Sequence, residues 1–145
     1  MDILIGKDFN NNKSLNPNTD LVLLYFSAHW CPPWEKFNKK LCEIYEDNKK
    51  LRNNIEIIFI SLDHNKEDFE IMTENMPWLV IPYEKEQRRK RIVYHSKVTQ
   101  VPSLVLLDKN AQVVIRNCRR DLMKLGRNSM KYWTEFYMKK TIGFS

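Results

Sequence analysis

The feature that most constrains this chain is a change of period around one cysteine. Leu21-Val22-Leu23-Leu24-Tyr25-Phe26-Ser27 is a continuous apolar run of β-favouring residues. Ala28-His29-Trp30-Cys31-Pro32-Pro33 follows it, and from there Trp34, Phe37, Leu41, Ile44 and Tyr45 recur at helical spacing. An unbroken apolar run of this length suits a strand buried on both faces. Apolar residues three and four apart suit a helix with one face on a core. A buried strand running directly into such a helix predicts an α/β fold with the cysteine at the turn. Pro32 and Pro33 sit where proline is tolerated, in the turn and the first helical position.

Two further runs complete a sheet. Ile55 to Leu62 reads as a second buried strand, and Pro102 to Leu107 as a third. Asp108 to Ala111 reads as a hairpin turn with Asn110 left-handed, leading to a fourth strand at Val113–Ile115. Ile3 to Ile5 reads as a short first strand and Phe9 to Asp20 as an Asn-rich loop. Asp63-His64-Asn65 is a capping turn before a helix over Lys66–Met76. Met76 to Tyr83 is apolar but carries Pro77 and Pro82, which exclude it from a central strand and predict a packed loop holding Trp78 in the core. Glu84–His95 and Met130–Met138 read as helices. The expectation is one domain over residues 1–145, with a mixed sheet and helices on both faces.

The 145 residues are 43% hydrophobic, enough for a packed core, and no apolar run is long enough to cross a membrane. Met1 to Lys7 turns polar too quickly to read as a signal peptide. Three cysteines, at 31, 42 and 118, do not make a disulfide framework, and no Cys/His spacing matches a zinc site. They point to a reducing, intracellular compartment, cytoplasmic or nuclear, and to no metal; a monomer is expected. The net charge is +6, and Arg88-Arg89-Lys90-Arg91 is the one dense basic run. It reads as a solvated helix face rather than a phosphate or import patch, so this run gives no expectation of a nucleic-acid partner. With only three glycines, asparagine must serve at left-handed positions.

Tyr25-Phe26-Ser27-Ala28-His29-Trp30-Cys31-Pro32-Pro33, Met76-Pro77-Trp78-Leu79 with Pro82-Tyr83, the pair Arg88-Arg89, and Val101-Pro102-Ser103-Leu104 ahead of Leu107-Asp108 together resemble the thioredoxin superfamily. The chain is most similar to its tryparedoxin and nucleoredoxin branch. The resemblance implies a thioredoxin fold, Cys31 at a helix N-terminus, a cis proline at Pro102 opposite it, and no organic cofactor. It also implies a second cysteine at position 34, in a Trp-Cys-Pro-Pro-Cys motif. Here that residue is Trp34, and the partner thiol that normally resolves a mixed disulfide is missing.

A thiolate, not a thiol, is the nucleophile, and a helix N-terminus favours the thiolate. Cys31 alone can start an exchange and form a mixed disulfide that waits for an external thiol such as glutathione. The competing reading is an inert relic on a binding module that uses Trp30, Trp34 and Pro102, since tryptophan is enriched at binding hot spots. Trp34 either narrows access to the sulfur or walls an apolar partner. Val101 and Pro102 are expected to present backbone and ring to an extended substrate. Cys42, eleven residues along the same helix and so about 16 Å away, reads as core. Cys118 is brought back towards Pro102 if the hairpin pairs regularly, which would put it on the rim of the site as a noncontiguous resolving thiol. Tyr25 reads as core packing or a hydrogen-bonding hydroxyl, and His29 as a solvated turn residue or a proton carrier.

Overall fold

The computed structural model describes residues 1–50 and 54–141. Its sheet has five strands: β1 (Leu21–Ser27), β2 (Ile55–Ser61), β3 (Leu79–Val80), β4 (Ser103–Asp108) and β5 (Val113–Ile115). They lie in the order β3-β2-β1-β4-β5. β1 pairs parallel with β2, from Leu21 opposite Ile55 to Ser27 opposite Ser61, and antiparallel with β4, from Leu21 opposite Asp108 to Phe26 opposite Ser103. The central strands are apolar throughout because alternate residues feed two different cores. Leu21, Leu23 and Tyr25 join Ile57, Phe59, Leu104 and Leu106 on one face. Val22, Leu24 and Phe26 join Ile58, Ile60, Val105 and Leu107 on the other. Each such side chain contributes about 1.5–3 kcal/mol by leaving water.

Helices cover both faces. α1 (Asp2–Ile5) and α4 (Glu86–Ser96) lie over the second core through Ile5 and Ile92. α2 (Trp34–Lys50), α3 (Lys66–Thr73), α5 (Cys118–Leu125) and α6 (Ser129–Thr141) lie over the first, through Phe37, Leu41, Phe69, Leu122 and Trp133. α2 starts at Trp34 and buries the expected stripe of Phe37, Leu41, Ile44 and Tyr45. The Asn65 side chain caps α3 by accepting from the Asp68 N–H at 2.8 Å, as the turn residues predicted.

Four expectations need correcting. Ile3–Ile5 is part of the helix α1, because a three-residue apolar stretch carries no period to separate helix from strand. Met76–Tyr83 is mostly loop, as expected, but Leu79–Val80 pairs with β2 as a two-residue edge strand between its flanking prolines. The left-handed turn residue is Ala111 (φ 62°), not Asn110. The Asp108 carboxylate takes the Asn110 and Gln112 N–H groups at 2.8 and 3.0 Å, and this bonding sets the turn. Asparagine does replace glycine at Asn11 and Asn12, both with positive φ.

The fourth correction concerns Arg88 to Arg91, which is not simply a solvated face. Arg88 is buried, donates to the carbonyls of Ile5 and Asp8, and lies over the Phe9 ring. Arg89 donates to Tyr83 O at 2.8 Å and Ser61 O at 3.2 Å, and stacks on Tyr83. Arg91 donates to Leu4 O at 3.2 Å. Guanidinium groups have several donors in a rigid fork, so they can gather the free carbonyls of loops and helix ends. Gly6 has φ +80°, and a Cβ there would meet the Arg88 side chain. Three arginines thus tie the N-terminal segment and the Tyr83 loop to α4.

Candidate functional site

The site is built at the end of β1. Backbone bonds shape the turn: Cys31 N–H to Ala28 O at 3.0 Å, Trp34 N–H to Cys31 O at 3.1 Å, and Phe37 N–H to Pro33 O at 3.1 Å, which opens α2. The loop is anchored to the end of β2. The His29 N–H donates to Asp63 Oδ1 at 2.7 Å, and Ser61 Oγ donates to Asp63 Oδ2 at 2.7 Å. Asp63 is itself buried. Its role went unread in the sequence beyond a turn assignment, although an Asp directly after a buried strand is a natural acceptor for loop N–H groups.

Cys31 is only 4% exposed. Its Sγ lies 3.7 Å from Val101 O, and the Val101–Pro102 peptide is cis. The head of α2 and the loop before β4 therefore meet at the sulfur. Trp34 is half-buried, packs on the core beneath α2 and lies 5.5 Å from the His29 ring. His29 Nδ1 is 3.4 Å from Asp68 Oδ1. Trp30 is 52% exposed and stacks on His64, with ring centroids 6.2 Å apart. The two tryptophans are thus not equivalent: Trp30 is surface, and Trp34 is largely part of the wall.

A model of the family described as thioredoxin-like matches residues 18–113, two thirds of the chain. This chain belongs to the thioredoxin-like family. Nucleoredoxin from Homo sapiens is 38% identical over 117 residues, which is 79% of this chain and 27% of that protein. The chain thus spans about a quarter of the length of that curated relative. Tryparedoxin I from Crithidia fasciculata superposes with a TM-score of 0.70 at 31% identity, over 75% of this chain and 76% of that one. Tryparedoxin II complexed with glutathionylspermidine superposes with a TM-score of 0.70 at 29% identity, over 76% of each chain. The protein is a thioredoxin-like chain of the tryparedoxin and nucleoredoxin branch.

Within this thioredoxin-like frame the other site residues fall into distinct roles. Tyr25 is buried, and its hydroxyl donates to Asn38 Oδ1 at 2.7 Å. Burial pushes its phenol well above the ordinary range, so it serves as a neutral donor and a core ring rather than a base. Cys118 is not on the rim. It is fully buried at the start of α5, with its thiol 3.5 Å from Ile115 O. The hairpin slips: Leu106 faces Ile115 but Leu107 faces Val113, and the chain then turns into α5. Burial, with Asp121 adding to it, drives the Cys118 thiol far up and makes it a poor resolving nucleophile. The residue that reaches the Pro102 loop is Arg119, whose Nη1 donates to Pro102 O at 3.1 Å. Cys42 is half-buried on α2, its thiol raised by burial and by Glu46 and Glu43.

A groove of about 1,020 Å³ lies over β2 and α4, and neither Cys31 nor Pro102 lines it. It runs from His64, the stacking partner of Trp30, past Tyr83, Val93 and Tyr94 to Val98 and Thr99, just ahead of Val101. Its lining mixes Tyr83, Val93, Tyr94 and Val98 with charged side chains, among them the ion pair of Lys66 with Glu84 at 2.7 Å. Among the described residues no group of His, Cys, Asp or Glu is placed to hold a metal ion, and no helix is long and apolar enough to cross a membrane.

Proposed function

We propose that this chain carries out monothiol exchange at Cys31. The thiolate attacks a disulfide R–S–S–R′, forms Cys31–S–S–R and releases R′ as a thiolate. An external thiolate of the glutathione class then attacks the mixed disulfide, leaves with R as a new disulfide, and returns Cys31 to its thiolate. No electrons are gained or lost overall, and each sulfur exchanges one partner for another. The observation that carries this reading is Cys31 Sγ at the head of α2, 3.7 Å from Val101 O. The Val101–Pro102 loop beside the sulfur offers main chain for an extended partner. That tryparedoxin II is known complexed with glutathionylspermidine makes a glutathione-type thiol a reasonable second substrate.

A non-catalytic binding module is the second reading, favoured by the exposure of Trp30 and its stacking on His64, which lines the groove. The two separate in one experiment. The alkylation rate of each cysteine is followed by mass spectrometry at neutral pH, together with reduction of a glutathionylated peptide. Exchange chemistry predicts Cys31 alkylated at least tenfold faster than Cys42 and Cys118, with turnover abolished by Cys31→Ser. A Cys31 no faster than the other two, with no turnover, leaves the binding module.

A further inference from the structure

The net charge of the chain is not spread over it. Residues 116–140 hold eight lysines and arginines against two acids, so this stretch alone carries the whole +6. It forms α5 and α6, consecutive helices joined by a short 3-10 turn and packed on the same face of the sheet. Three of its cations are engaged: Arg116 with Ser96 O, Arg119 with Pro102 O, and Arg127 3.7 Å from Asp47. Arg120, Lys124, Lys131, Lys139 and Lys140 are exposed and have no carboxylate partner among the described residues. One of the two acids, Asp121, is turned inward and accepts from Trp133 Nε1 at 3.0 Å.

Aromatic rings lie among these cations. Tyr132 is 41% and Phe136 39% exposed, and they sit side by side with centroids 6.2 Å apart. Tyr132, Phe136 and Lys139 follow at four and three residues, so they share one face of α6, with Lys140 a turn beyond Phe136. On α5, Arg120 and Lys124 are likewise one turn apart.

We infer that the α5–α6 face binds single-stranded nucleic acid, its free cations along the phosphates and the Tyr132–Phe136 pair against unpaired bases. Phosphate neutralisation with base stacking on rings is the combination such binding requires. Duplexes offer no unpaired base to the rings. An anionic bilayer fits less well, because interfacial helices sink a broad apolar face by about 5–10 Å. Met130 and Trp133 of α6 face the core, and the apolar side chains left exposed on the two helices, Met123, Tyr132, Phe136 and Met138, alternate with Lys124, Lys131, Lys139 and Lys140 rather than forming one apolar face. This inference is independent of Cys31.

The test is fluorescence anisotropy with a labelled oligouridylate of about 20 nucleotides, longer than the roughly 4–16 that one compact binding site covers. Five phosphate contacts predict a log–log salt slope of about −3.5 between roughly 50 and 200 mM salt. The triple variant Lys124→Glu, Lys139→Glu, Lys140→Glu should lose at least tenfold in affinity. Tyr132→Ala and Phe136→Ala should each lose roughly tenfold with little change of slope. Circular dichroism and Cys31 alkylation should stay as in the unsubstituted chain, and its own salt slope tests the inference without any variant. No binding at the lowest salt, a slope shallower than about −1, or affinity untouched by charge reversal overturns it. So does saturable binding to phosphatidylserine vesicles with none to the oligonucleotide.

Discussion

At the residue scale, two side chains define what Cys31 can do. Trp34 occupies the position from which a second thiol would resolve a mixed disulfide. The pre-reduced variant Trp34→Cys should therefore reduce a protein disulfide stoichiometrically without glutathione, its own two thiols closing to a 31–34 disulfide, at a packing cost of about 1–3 kcal/mol. The check is insulin reduction with and without glutathione; a folded but still inert variant would count against the exchange reading. Asp63 is the other. Asp63→Ala leaves the buried Ser61 hydroxyl and the His29 N–H without their acceptor. A buried group left unpaired costs about 1–3 kcal/mol, so chemical denaturation should show a loss of that size. The alkylation rate of Cys31 should change with it, because the turn that carries the sulfur is freed from β2. Cys31, Trp30 and Pro102 were all legible as residues, since motif and family resemblance mark them. Asp63 and Arg119 were not, because their meaning lies in partners 34 and 17 positions away.

At the element scale, α4 is the clearest lesson. Its basic run has the composition of a solvated or phosphate-binding face, yet Arg88, Arg89 and Arg91 are turned onto main-chain carbonyls of Leu4, Ile5, Asp8, Ser61 and Tyr83. Charge in a sequence does not say which way a side chain points, and an arginine can satisfy a loop as readily as a phosphate. Arg88→Ala should destabilise the fold by about 2–3 kcal/mol, the range of a lost hydrogen bond to a charged donor. It should also open the α1 segment to limited proteolysis around residues 6–9, while Cys31 alkylation is unchanged. Proteolysis equal to that of the unsubstituted chain would show that α1 is held by its apolar contacts alone. The long, strongly periodic elements β1, α2, β2 and β4 could be read in advance. The short ones, α1 and β3, could not, because two to four residues contain less than one period of either pattern.

At the scale of the whole molecule, two cores on either side of one sheet hold the site in place, and buried polar groups tune their stability. Tyr45 donates to Glu56 Oε1 at 2.8 Å, and Ile57 N–H to the same oxygen at 2.9 Å. Burial still raises the Glu56 carboxyl above its ordinary value. The native state therefore takes up this proton before the unfolded chain does as pH falls. That contribution to stability grows on acidification through the raised native value and levels off below the unfolded value of about 4.3. Tyr45→Phe removes the hydroxyl that supports the carboxylate and should cost about 1.5–3 kcal/mol at neutral pH. The deficit should shrink as Glu56 becomes protonated. Thermal unfolding of both chains across the acid range checks it, and a deficit independent of pH would assign the loss to packing. What the sequence alone determined was the alternation of buried strands and amphipathic helices, and the cysteine at their junction. Both follow from local period and from residue types that tolerate few conformations. Only the tertiary structure decided that Cys118 is core, that Arg119 reaches Pro102, that Trp34 is wall and Trp30 surface, and that the arginines of α4 are clamps. Those outcomes depend on a slip of register between β4 and β5 and on which distant carbonyl lies within reach, and neither is encoded in any local pattern.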